Sequence, residues 1–204
     1  KQEASAADVA GKEFDVVVVG GTSAGVMSAV RAAREGMVVL LVQHNRHVGG
    51  MMVNGLGQWD ALYGGHRSPL FTELLGNIEG YYAGRYGLDS PQAKRAHFTH
   101  AQYPIGWVEP HVAEREYHRL MAGEASLTLL LEHFVKAVER DGAVLRGATL
   151  CKYGGDRTID VRGRVFIDST YEGDLFAAAK VPYHVGRESR ATYGEPHAGK
   201  VFTN

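Results

Sequence analysis

Six residues, Gly20-Gly21-Thr22-Ser23-Ala24-Gly25, stand between an apolar run ending at Val19 and a helical pattern opening near Ala24. Between a strand and a helix, Gly20 permits a tight turn and Gly25 lets the helix pack close to the strand. The amides of Ser23 and Ala24, at the positive end of the helix dipole, are then presented to a pyrophosphate. Thr22 occupies the middle position, normally glycine, and its hydroxyl can itself donate to a phosphate. The same residues spell Gly-x-Ser-x-Gly around Ser23, the form of a hydrolase nucleophile elbow. That elbow comes late in its sheet, whereas this turn closes the first strand, so the nucleotide reading is preferred.

The flanking elements must hold this turn. Phe14 to Val19 is a β-branched run that reads as a strand buried on both faces. Ala24 to Glu35 places Val26, Ala29, Val30 and Ala33 on one helical face, with Gly36 just beyond its end. Val38 to Gln43 is a second strand, and the three together form a βαβ crossover. Such units carry an acid about 20 residues after the turn to bind ribose hydroxyls. Here Gln43 stands instead, able to accept from one hydroxyl and donate to another without charge assistance. His44 and Arg46 are the nearest cationic candidates.

From His44 to Gly65 glycines are interleaved with apolar residues, which marks a functional loop. Gly49 and Gly50 would let backbone approach a ligand where no Cβ intrudes. Ser68-Pro69 and Pro110 open helices, the second running to about Glu124. Asp141-Gly142 between Phe134–Arg140 and Ala143–Leu150 is a hairpin signal. Gly154-Gly155-Asp156 turns into Thr158–Val161, Val165–Ile167 is a last strand, and a short helix follows from about Gly173 to Ala179. The fold class expected is α/β: a Rossmann-like βαβ unit on a parallel sheet, with a β-meander from Phe134 to Val161.

The 22 lysines and arginines nearly balance 23 aspartates and glutamates, giving no electrostatic reason to expect nucleic acid or an anionic membrane. No apolar run approaches bilayer-spanning length, so no transmembrane segment is expected. Cys151, the only cysteine, excludes an internal disulfide and a Cys-x-x-Cys pair and reads as a buried strand thiol. Of ten histidines, neither His97 with His100 nor His111 with His118 has a metal-site spacing, so no metal is expected. Residues 1–12 read as a mobile leader, 13–180 as the nucleotide-binding domain and 181–204 as the start of a substrate-facing region. Ala4-Ser5-Ala6 has the small-x-small form of a signal-peptidase site and hints at export. Both ends look cut, which leaves the domain incomplete.

Gly20 to Gly25, Arg46-His47-Val48-Gly49-Gly50-Met51, Glu109 to Glu114 and Val165 to Asp174 occur in that order. Together they resemble the FAD-dependent oxidoreductase family of the glutathione-reductase-like flavoprotein fold. The resemblance covers the chain from about Phe14 to its end. It implies that the glycine turn, with Gln43 and His44, holds the cofactor, and that Arg46 to Met51 wraps the pyrophosphate and the flavin edge. It also implies that the Val135 backbone meets the adenine edge, and that Thr170 and Asp174 lie by the ribityl chain. Ser169 and Tyr171 depart from the family's more usual Asp-Ala-Thr-Gly. The implied function is oxidation or reduction of a small-molecule substrate by a non-covalent FAD, His47 being the candidate for any covalent link. A flavoprotein without net redox and a flavin-free NAD module are the alternatives. Trp59, Asp60 and His66 are the catalytic candidates, with Tyr171 and Glu172 nearer the ribityl side. Arg187 and Arg190 suit a carboxylate or other polar oxygens of a substrate.

Overall fold

The structure, a computed structural model, describes residues 3–60, 66–97 and 105–200; of Asp60, Ile105 and Gly106 it describes the backbone only. In chain order the elements are α1 (Ala6–Val9), β1 (Glu13–Val19), α2 (Ser23–Arg34), β2 (Val39–Val42), β3 (Gln58–Asp60), α3 (Pro69–Tyr86), α4 (Pro91–Ala96) and β4 (Ile105–Trp107). They continue with α5 (Pro110–Ala122), β5 (Leu127–Leu130), β6 (His133–Asp141), β7 (Val144–Lys152), β8 (Thr158–Asp168), α6 (Asp174–Ala178) and α7 (Arg190–Tyr193).

Six strands form one sheet in the order β5-β2-β1-β8-β7-β6. β5, β2, β1 and β8 run parallel, and β7 and β6 add an antiparallel meander. The α/β class, the βαβ unit and the meander thus stand as the sequence predicts. Two predicted strands fuse into β8: its first half pairs with β7 and its second half with β1. β3 and β4 pair separately.

Alternation along the central strands divides the core. Val16 and Val18 with Leu41 face α2, α3 and α5, whereas Val17 and Val19 with Leu40 face the other side, among Val135, Leu150 and Leu175. Burial on both faces is what the unbroken apolar runs encode, and each buried Val or Leu contributes about 1.5–3 kcal/mol. The result fixes the C-terminal ends of β1 and β8 side by side, which is where the site forms.

The expected mobile leader gives way to packed structure. Ser5 and Asp8 cap α1 reciprocally, the Ala4 amide donates to Leu129 O, and Val9 is fully buried. The small-residue run therefore serves a helix N-terminus docked on the sheet. Cys151 is buried as expected. No helix among the described residues is long and apolar enough to cross a membrane. His100 lies outside the described residues.

Candidate cofactor site

The glycine turn lies at the β1–α2 junction, as its sequence requires. A Cβ on Gly25 would overlap the Gly20 carbonyl oxygen, and one on Gly20 would fall 2.6 Å from the Ser169–Thr170 backbone. Both glycines therefore exist because protein backbone crosses protein backbone there. Thr22 is the N-cap: its Oγ1 donates to Ser169 O at 2.8 Å and accepts from the Gly25 amide at 3.3 Å. That hydroxyl is committed to α2 and β8, and does not serve as the phosphate donor that the sequence suggests. The Ser23 and Ala24 amides, at the first two helical positions, have no intrahelical partner. Ala24 is exposed, so this end of α2 opens outward.

Among the described residues the side-chain partner of Ser23 is a tyrosine hydroxyl, not a base. Its Oγ lies 2.6 Å from the Tyr117 hydroxyl, which burial pushes up to about 12. Tyr117 in turn donates to Met52 Sδ at 2.9 Å. The elbow-like spelling around Ser23 thus encodes a link between α2, α5 and the loop at 49–52.

Gln43 is where sequence and structure part. It is buried; its Oε1 accepts from the Gly21 amide at 2.8 Å, and its Nε2 donates to Asn45 Oδ1 and His47 O, both at 2.9 Å. Both donors and one acceptor position are used inside the protein, so Gln43 positions the turn and does not bracket two ribose hydroxyls.

The second glycine segment is likewise divided. Gly49 (φ 118°) has a Tyr117 ring carbon 2.6 Å from its would-be Cβ, so it admits a protein ring, not a ligand. Gly50 (φ 63°) faces the Tyr171 hydroxyl, which also accepts from the Met51 amide at 2.7 Å.

A cavity of about 660 Å³ runs past these groups. Of the predicted residues, Gly20, Thr22, Gln43, His44, Gly50, Met51, Val135, Thr170 and Asp174 line it. Ser23, Ala24, Gly25, Arg46 and Gly49 do not. Arg46 instead donates from Nε to Glu132 Oε1 at 2.8 Å, and its guanidinium holds that carboxyl below the usual range. His47 faces both oxygens of Glu114 at 3.1 Å and is also outside the cavity. Asn45, Asn54, Phe134, Tyr153, Tyr171, Glu172 and Ala177 complete the wall. No lysine or arginine is among these lining residues; the glycine turn reaches the cavity through Gly20 and through Thr22, the N-cap of α2.

The Asp168–Asp174 segment is a self-bonded turn. Asp168 accepts from the Thr170 amide and hydroxyl and from the Phe176 amide, and Thr170 Oγ1 accepts from the Asp174 amide. This consumes Thr170 and leaves the Asp174 carboxylate on the cavity wall. Of the catalytic candidates, Trp59 is buried in the core and His66 is exposed, and neither lines the cavity; the Asp60 side chain lies outside the described residues. Tyr153 and Phe134 are wall residues that sequence reasoning missed. An aromatic beside the Gly154-Gly155 turn was the only signal for Tyr153.

A four-strand parallel core, a glycine turn at its first strand–helix junction and a cavity over the strand ends define a Rossmann-like dinucleotide-binding domain. The family model for FAD dependent oxidoreductases matches residues 15–204, and the chain belongs to that family. FAD is the cofactor for which the family is named, and a cavity of about 660 Å³ bordered by Gly20, Thr22 and Gly50 fits a dinucleotide.

Among solved structures, the chain is similar to THI4 of Thermovibrio ammonificans, at 14% identity and TM-score 0.57, over 90% of this chain and 64% of that one. OxyS anhydrotetracycline hydroxylase of Streptomyces rimosus matches at 15% identity and TM-score 0.56, over 87% and 36%. The 3-ketosteroid-delta4-(5alpha)-dehydrogenase of Rhodococcus jostii RHA1 matches at 15% and 0.51, over 81% and 47%. These likenesses show the fold. The chain spans between about a third and two thirds of the length of these proteins.

Proposed function

We propose that this chain is the FAD-binding part of an oxidoreductase that oxidises or reduces a small-molecule substrate. The observation that carries the reading is the cavity itself: Gly20 and Thr22 of the glycine turn, the Gly50-Met51 loop and residues of the Thr170–Asp174 segment, far apart in sequence, line one cavity. The Ser23 and Ala24 amides at the α2 N-terminus would hold the diphosphate, favoured by the helix dipole. Asp174 would accept from a ribityl hydroxyl, and the Val135 backbone would meet the adenine. Bound flavin supplies the hydride or electron transfer; the protein supplies orientation and electrostatics. Tyr171 and Glu172 lie on the cavity wall near the proposed ribityl side. Residues 181–204 would begin a substrate-facing region, where arginines such as Arg187 and Arg190 suit polar oxygens.

A visible absorption spectrum of the full-length natural protein, with and without added FAD, tests this. A flavin spectrum that bleaches with a reduced substrate and returns on reoxidation is expected. A colourless protein with no affinity for FAD overturns the proposal. A flavin spectrum that never bleaches during turnover would instead assign a non-redox role.

A further inference from the structure

Part of the cavity lining is aromatic. Tyr153, on the turn between β7 and β8, is 65% exposed, and Phe134 at the start of β6 is 37% exposed. Their ring centroids are 6.4 Å apart at 81°, and His44 stands 6.3 Å from Tyr153 at 54°. These rings meet edge to face or tilted, not stacked on one another, and Tyr153 and Phe134 keep exposed surface that a planar ligand could meet. All three line the cavity.

The backbone beneath them is held in place. The Tyr153 amide donates to Glu132 O at 2.6 Å, and the Gly155 amide closes the turn on Lys152 O at 3.1 Å. Glu132 itself adopts a left-handed backbone (φ 57°), which costs a non-glycine residue about 1–2 kcal/mol. Its amide donates to Asn45 O at 3.3 Å and its carboxylate accepts from Arg46. One strained residue thus ties together the three segments that carry His44, Phe134 and Tyr153. Strain of this kind persists where surrounding contacts fix it, and it clusters at ligand sites.

Resting on the FAD reading above, we propose that Tyr153, backed by Phe134, is the residue that selects the adenosine half of the cofactor, by contact of its ring with the adenine. The hydroxyl-binding acid expected at the end of β2 is replaced by Gln43, whose amide is spent on Gly21, Asn45 and His47. Discrimination of FAD from FMN, which lacks the adenosine, therefore passes from ribose hydrogen bonds to aromatic contact. Such a contact is indifferent to charge and contributes about tenfold or more in affinity per base.

The test is a flavin-fluorescence titration of the full-length natural protein and its variants with FAD and with FMN. Tyr153→Ala weakens FAD about tenfold and leaves FMN unchanged, while Tyr153→Phe retains FAD binding. Unaltered FAD affinity in Tyr153→Ala overturns this proposal alone, as does equal weakening of both flavins, which would mark Tyr153 as structural. A wild-type protein that binds neither flavin overturns the FAD reading, and this proposal with it.

Discussion

Gly25 and Gly50 are both expected from the sequence to belong to the cofactor site, Gly25 by letting a helix pack on a strand and Gly50 by admitting a ligand. Their surroundings differ in kind. Gly25 is pressed against the Gly20 carbonyl, backbone on backbone, and nothing there can rotate away. Gly50 faces a tyrosine hydroxyl at the end of an exposed, rotatable side chain. The turn at 20–25 is therefore a rigid cradle set by the crossing of β1, α2 and β8. The loop at 49–52 is a wall whose shape depends on Tyr117 and Tyr171. Gly25, in a binding motif, thus serves the protein's own packing.

Substitutions can break that contrast, and the largest effect belongs to Gly25→Ala. Its methyl has no relaxation path, so a loss of about 3 kcal/mol or more is expected in chemical denaturation, with the variant failing to fold at the extreme. A melting curve like that of wild type would show that the crossing at β1–α2 is loose.

Gln43 cross-links the two regions, holding Gly21 on one side and His47 on the other. Gln43→Glu restores the acid usual at this position, yet sets a carboxylate against the Asn45 and His47 oxygens. About 1–3 kcal/mol of stability should be lost, with no gain in FAD affinity by titration. Tighter FAD binding in this variant would show that the residue reaches the ribose after all.

Gly50→Ala should cost about 1–2 kcal/mol, mostly from its left-handed backbone. Adding Tyr171→Ala removes the collision with the hydroxyl and should recover part of that loss in thermal melts. If the double variant is no more stable than Gly50→Ala, the tyrosine is not what confines this loop.

The smallest effect lies outside both regions. Arg34 joins α2 to Glu73 of α3, and its guanidinium holds the Glu73 carboxyl below the usual range. A carboxyl depressed in the folded state stabilises above its unfolded pKa, and that contribution fades as pH falls through the lower folded value. For this partly exposed pair it is about 0.5 kcal/mol. Stability measured against pH should therefore decline more gently on the acid side in Glu73→Gln, whereas an unchanged acid limb would remove the pair from the account.

Much of the frame was legible because it is encoded locally. β-Branched runs ended by glycine gave β1, proline at the first helical position gave α3 and α5, and Asp141-Gly142 gave the β6–β7 turn. Short elements such as α1 and α4 escaped notice because one helical turn leaves no periodicity to read. The antiparallel β3–β4 pair joins segments more than 40 residues apart, and no local pattern records that pairing.

The candidate site was legible in place but not in bonding. Gln43 stands where a ribose ligand belongs, and only the fold shows the Gly21 amide taking its oxygen. Gly49 reads as room for a ligand until Tyr117, on a helix 60 and more residues later, fills it. Tyr153 carries no helix or strand signal beyond the turn that exposes it.

The most direct test of the account is a crystal structure of the full-length natural protein with FAD bound. The account predicts the diphosphate within hydrogen-bond distance of the Ser23 and Ala24 amides, with the adenine against Tyr153. FAD ordered elsewhere, or with its diphosphate held by side chains away from α2, would contradict it.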